Sequence, residues 1–306
     1  MDDVPPPPPP PLYEAAPPAR TPGLSRGLRR TIIAIVIVVI VLIGIIGYAV
    51  AGIAYASSRV AGANRNLNTV ISHQNSLNTT FKEIDTKFNG LSNSSTFDPK
   101  AAHTLIDQFV ASSKAAGVAV DQDDASLVTA RASLDEQQWL TVLSKGSLDK
   151  EAQRIDHARK GLSSAKTIAS DYVQDGEFLQ SFLDAATDLD TLGTQSANAD
   201  LAAAKATLAT MKTHVDKALS LSTAPGLPVE LHDLMVDFQA LVSDFGKLLD
   251  AAAAVDLGAI TTADAAVEKD ATKISGYNFD KISTEIDAYY KPLVDTFNSE
   301  MQKATA

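Results

Sequence analysis

Cysteine is absent from all 306 residues, which excludes disulfides, thiolate-ligated zinc, iron–sulfur clusters and thiol catalysis. A domain outside the cytoplasm that lacks disulfides is held by packing alone, which is more usual in a bacterial or archaeal envelope than in an animal ectodomain. A prokaryotic source is therefore expected. Histidine is sparse as well, and none of His73, His103, His157, His214 and His232 has an acidic residue three positions before it. That disfavours the Glu-x-x-His pairs with which helical bundles hold two metal ions. The spacing of Asp121, Asp123 and Asp124 fails as a calcium loop, because Ser126 stands where glycine is required and Ala132 where the bidentate glutamate belongs. No GxSxG elbow, GxxxxGK[ST] loop or GxGxxG turn occurs. No cofactor and no enzymatic activity are expected.

Positive charge is the scarcer sign, with 26 Lys and Arg against 37 Asp and Glu. Its placement is uneven. Arg20, Arg26, Arg29 and Arg30 against Asp2, Asp3 and Glu14 leave residues 1–31 at a net +1, so residues 32–306 carry −12 of the total −11. An acidic domain disfavours nucleic acid and anionic lipid surfaces as partners, since both are bound by clustered Lys and Arg.

Charge is missing altogether from Ile32 to Ala54, a run of 23 residues against the roughly 20 needed to cross a bilayer core. The run is dense in β-branched residues, but in hydrocarbon the backbone must satisfy its own hydrogen bonds, so a helix is expected. Residues 32–55 are read as a transmembrane signal anchor whose partner is the lipid bilayer. Arg26, Arg29 and Arg30 abut its start and set the topology, with the N-terminus cytoplasmic and the C-terminal domain outside, in the cell membrane. A cleaved leader is the competing reading, because Ala54-Tyr55-Ala56 has the small-x-small pattern before Ser57. The apolar run exceeds the about 7–15 residues of an ordinary leader, which favours a retained anchor.

Residues 1–31 form a proline-rich tail. Seven consecutive prolines, Pro5–Pro11, lock φ and remove backbone donors, which gives an extended rod rather than a core. Pro10-Pro11-Leu12-Tyr13 matches the PPxY pattern that WW domains read, which makes Pro10, Pro11 and Tyr13 candidate partner contacts. A disordered spacer is the plainer reading of the same composition.

After the membrane run the apolar spacing becomes three and four, with Val60, Ala63, Leu67, Val70, Leu77, Phe81, Ile84, Phe88 and Leu91 on one stripe and Gln74 within it. Such spacing packs a helix against a partner helix. Leu67, Val70, Leu77, Phe81, Ile84 and Phe88 are accordingly a candidate surface for a protein partner or for a second copy of the chain. Asp98-Pro99 starts the next helix, with Asp as cap and proline in the first turn. That helix is expected to end near Gly117, with Asp123 or Asp124 capping another. Lys145-Gly146-Ser147 reads as a break and Gly176 as an interruption.

The stretch Gly193–Asp200 is the expected boundary between a stalk with a first helical half, residues 56–192, and a second half, residues 193–306. In the second half Ser222–Pro228 is a turn, and Leu231, Leu234, Phe238, Leu241, Phe245, Leu248, Ala252 and Val255 hold successive heptad positions. A last helical region is expected from Ala263, disturbed at Gly276 and at Pro292. No segment alternates with a two-residue period.

The expected fold is all-α, one transmembrane helix followed by an elongated antiparallel bundle with heptad-like packing. The expected role is non-enzymatic, in envelope assembly, adhesion or scaffolding. A sensory or small-ligand-binding bundle that signals through a partner is the alternative, and a hydrolase assembled from dispersed carboxylates is the third reading.

Overall fold

A computed structural model describes residues 58–92, 98–135 and 145–306. Among them are seven helices and no strand: α1 Ser58–Ser92, α2 Pro99–Asp135, α3 Lys145–Ala197, α4 Leu201–Leu221, α5 Val229–Ala254, α6 Leu257–Ser275 and α7 Phe279–Thr305. The fold is all-α and a helical bundle. The tail with Pro10, Pro11 and Tyr13, the arginines 26, 29 and 30, and the apolar run 32–55 lie outside the described residues. Among the described residues no helix is long and apolar enough to cross a membrane.

Short carboxylate and amide side chains begin four of the helices by accepting from backbone N–H groups that have no partner within the helix. Asp98 accepts from Lys100 N at 3.0 Å and from Ala101 N at 3.1 Å. Asp200 accepts from Ala203 N, Asp256 from Gly258 N and Ala259 N, and Asn278 from Lys281 N.

The 53 residues of α3 make a rod of about 80 Å that the other helices share. Its neighbours α2 and α7 both run antiparallel to it. On α2, Asp124 meets Arg159 and Asp107 meets Gln180. On α7, Glu300 meets His157 and Tyr290 meets Asp175. Helix α1 lies antiparallel to α2, joined by His73 Nδ1 and Asp123 Oδ1 at 2.8 Å. The core divides along the rod. One cluster gathers Leu67, Leu127, Ile155, Leu162, Phe297 and Met301 around the first part of α3. The other runs from Phe81 and Phe109 through Phe182 and Phe238 to Tyr290, so buried residues on both sides of Gly193–Asp200 belong to one apolar cluster.

Several expected breaks are continuous helix. Gly117 does not end α2, because an added Cβ there would meet nothing within 4 Å and the position is an ordinary helical one. Asp123 and Asp124 consequently lie inside α2 rather than capping a helix. The break expected at Lys145-Gly146-Ser147 coincides with the first turn of α3, and residues 136–144 ahead of it lie outside the described residues. Gly176 is helical too, for a packing reason. A Cβ there would stand 2.4 Å from Val110 Cγ2, so glycine lets α2 approach α3.

The heptad series of α5 holds as far as Phe245 and then drifts, leaving Leu249 and Ala251 buried in place of Leu248 and Ala252. A straight helix turns about 20° per heptad away from a 3.5-residue repeat, which moves a strict heptad stripe off the contact line. Val255, the last position of that series, is 77% exposed and sits in the left-handed region at φ 55°, ending the helix.

Helix α6 starts at Leu257, ahead of Ala263, because Asp256 caps it. Pro292 lies within α7 without ending it. The lost hydrogen bond falls on the outer face, where Ala288, whose carbonyl loses its donor, and Pro292 are both exposed to water.

Candidate functional site

Halfway along α3 the apolar stripe Ile168, Tyr172, Leu179, Phe182 is interrupted by Asp175, which occupies the position between Tyr172 and Leu179 in a spacing of four and three. Asp175 is fully buried. On α7 the consecutive Tyr289 and Tyr290 turn their hydroxyls to this part of the rod. Tyr290 Oη donates to Asp175 Oδ2 at 2.6 Å, and Tyr289 Oη donates to Asp171 Oδ2 at 3.2 Å. Asp175 Oδ1 and Tyr172 Oη are buried with no hydrogen-bond partner.

Gly226, in the turn between α4 and α5, closes over the same hydroxyl. Its φ is 91°, and a Cβ there would stand 2.5 Å from Tyr290 Oη. Glycine therefore serves both the left-handed backbone and the close approach.

Aromatic rings connect this centre across four helices. Phe81 of α1 meets Phe109 of α2 with centroids 6.2 Å apart, Phe109 meets Tyr172 of α3 at 5.5 Å, and Tyr172 meets Tyr290 of α7 at 4.7 Å. Tilted and edge contacts of this kind add stability beyond the area they bury.

Burial pushes the Asp175 carboxyl up to about 8, opposed by the Tyr290 hydrogen bond and aided by the charge of Asp171. Desolvation also raises Asp171, against the Tyr289 hydrogen bond, and raises Asp287. Tyr172 and Tyr290 are displaced upward by burial first and by Asp175 second. At neutral pH Asp175 is thus a neutral acid, which lowers the cost of holding it in the interior. Chemically the group can hold a proton. The Asp175 side chain is closed off from solvent, at 0% exposure.

Other polar groups tie helices together. Arg154 Nε donates to Ala304 O at 2.8 Å, and its Nη1 donates to Asn64 Oδ1 and Glu151 Oε2, each at 2.9 Å, which joins α1, α3 and α7. Asp237 of α5 accepts from Lys273 Nζ at 2.6 Å and from Tyr277 Oη at 2.7 Å, beside α6. Ser222 Oγ lies 2.9 Å from His232 Nδ1 and donates to Leu219 O at 2.8 Å. Ser222 is 1% exposed and caps α4, so the pair is a helix end rather than a nucleophile. Among the described residues no three His, Asp or Glu side chains are grouped to hold a metal ion.

Of the six residues named as a partner surface, Leu67, Val70, Phe81 and Ile84 are buried within this chain's own core. Leu77 is half-buried and lines a cleft between α1, α2 and α3. Phe88 falls on α1, and its side chain is outside the described residues. Gln74, the polar member of the stripe, donates through Nε2 to Asp123 Oδ2 at 3.2 Å.

Asp123 and Asp175 are the residues whose part the sequence reading missed. Each sits on an apolar stripe at stripe spacing, and that position was the available signal. Comparison with protein-family models, with curated proteins and with solved structures found no match.

Proposed function

We propose that the chain is a non-enzymatic scaffold of the cell envelope, held in a membrane by Ile32–Ala54 and working through an elongated, heptad-packed helical domain outside the cytoplasm. The carrying observation is the uncharged run of 23 residues with Arg26, Arg29 and Arg30 at its head, four residues ahead of the first residue of α1. A rod of about 80 Å is supporting evidence, since it gives an anchored domain reach for assembly or adhesion. The partner in this reading is another envelope protein or a second copy.

Fractionation tests the anchor and its direction together. The full-length chain should stay in the membrane pellet after alkaline carbonate, and protease added to intact cells should remove α1–α7 while sparing a tag at Met1. Release by carbonate, or protection of a C-terminal tag, overturns the reading.

One observation favours a second reading, a module that binds a small molecule: a groove of about 470 Å³ between α4 and α5, lined by Leu208, Val215 and Val242 together with Lys205, Lys212 and Asp216, is of the size ligands occupy. Pockets between bundle helices are a common place for ligands.

A further inference from the structure

Asp175 is shut away from water with one hydrogen-bond donor, Tyr290, and with Oδ1 unpartnered. The titratable groups around it are all acids. Asp171 and Tyr172 lie on its own helix, and Tyr289, Tyr290 and Asp287 lie on α7. From α2 come the apolar Phe109 and Val110, packed against Gly176 next in the chain, and from the α4–α5 turn comes Gly226. None of these groups is a cation, so an ionised Asp175 has no partner to offset its lost hydration.

The cover over this pair is thin at one place. Gly226 lies against the Tyr290 hydroxyl, where a Cβ would stand 2.5 Å from Oη, and is only half-buried, whereas Tyr290 is 0% exposed. Helix α7 is fixed by Ile282, Ile286, Val294 and Phe297, all buried. The turn, residues 222–228, buries only Ser222 and Ala224. Its backbone hydrogen bonds are local, from Ala224 N to Leu221 O at 3.0 Å and from Leu227 N to Ala224 O at 3.1 Å. It can therefore move as a unit without breaking them, and segments with so little buried surface open at the lowest cost.

We propose that residues 222–228 form a pH-sensitive lid over the Asp175–Tyr290 pair, seated while Asp175 is protonated and lifted when Asp175 gives its proton to water. Lifting brings solvent to the hydrogen bond at Tyr290 Oη, and the carboxylate gains the hydration that the closed interior denies it. With the lid open Asp175 has ordinary acidity, and with it shut the carboxyl is raised to about 8. Each added pH unit between about 4 and 8 then favours the open form by up to about tenfold. Above about pH 8 both forms are ionised and the effect levels off. The opening is local and leaves α7 on α3.

The chain has no cysteine, so one introduced thiol reports alone. Leu227 packs against the core, and L227C places the probe there. Labelling of full-length L227C by a thiol reagent is compared at each pH with that of L227C/D175N, which cancels the ionisation of the thiol itself. The ratio of the two rates should rise by up to about tenfold per pH unit from about pH 5 and level off above about pH 8. A flat ratio overturns the lid.

Amide exchange with Leu227 intact is the second measurement, independent of any loosening that the probe itself causes. Relative to D175N at the same pH, peptides covering 222–231 should lose protection as the pH rises, while those of α7 keep theirs. Equal loss in α7 and throughout the bundle would mean that Asp175 acts only through global unfolding, which overturns the lid as well.

Discussion

Asp175 shows how one carboxyl can set a pH response for the whole chain. Its folded-state pKa, about 8, lies above the ordinary aspartate value, so between about pH 4 and pH 8 the folded state holds a proton that the unfolded chain releases. Stability contributed by that protonation is complete below about pH 4 and is lost as the pH rises through about 8. The slope is at most about 1.4 kcal/mol per pH unit. Asn at this position keeps an oxygen for Tyr290 and cannot ionise. D175N should therefore raise the Tm of the full-length chain at pH 8.5 and leave a smaller difference between pH 5 and pH 8.5 than the parent shows. Equal pH slopes in the two proteins would mean that Asp175 does not titrate in the interior.

At the scale of the element, α5 illustrates where a helix pattern holds and where it stops. Leu231, Leu234 and Phe238 are fully buried, and the series continues through Leu241 and Phe245 before the stripe drifts to Leu249. Val255 then takes the left-handed conformation at the C-terminal end, with its N–H on the carbonyls of Ala251 and Ala252. A left-handed β-branched residue is strained by about 1–2 kcal/mol, and glycine adopts the same geometry freely. V255G should stabilise the protein by about 1 kcal/mol, read as a rise in urea midpoint with an unchanged slope. A lowered midpoint would mean that the αL cap is not what ends α5. The element was legible because its turn, Ser222–Pro228, and its apolar spacing are both local. Its last position was not, because heptad counting ignores the slow rotation of a straight helix.

Across the whole molecule the bundle is closed by polar ties between helices far apart in sequence. Arg154, 7% exposed, joins Asn64 of α1, Glu151 of its own helix and the carbonyl of Ala304 near the end of α7. Removing one partner of a buried ion pair leaves the other charge uncompensated and typically costs about 3–5 kcal/mol. R154A should lose that order of stability. In hydrogen exchange, the first turns of α1 and the last turns of α7 should lose protection, while α5 and α6 keep theirs. Uniform loss across all helices would show instead that the tie is not confined to that end of α3.

Helical class, the start at Asp98-Pro99, the turn before α5 and the absence of strands among the described residues were all readable from the sequence, because capping and apolar period act within a few residues. The uncharged run 32–54 is likewise a property of composition. What tertiary structure alone decided is how the stripes are used. Leu67, Val70, Phe81 and Ile84 look the same in sequence whether they face another molecule or their own bundle, and only the docking of α1 on α2 and α3 placed them inside. Gly117 read as a stop and Gly176 as an interruption, yet one faces open space and the other receives Val110, a difference set by the neighbouring helix. The Tyr290–Asp175 hydrogen bond spans 115 positions of sequence. No local pattern encodes such a pairing, since it depends on the register in which α7 lies along α3.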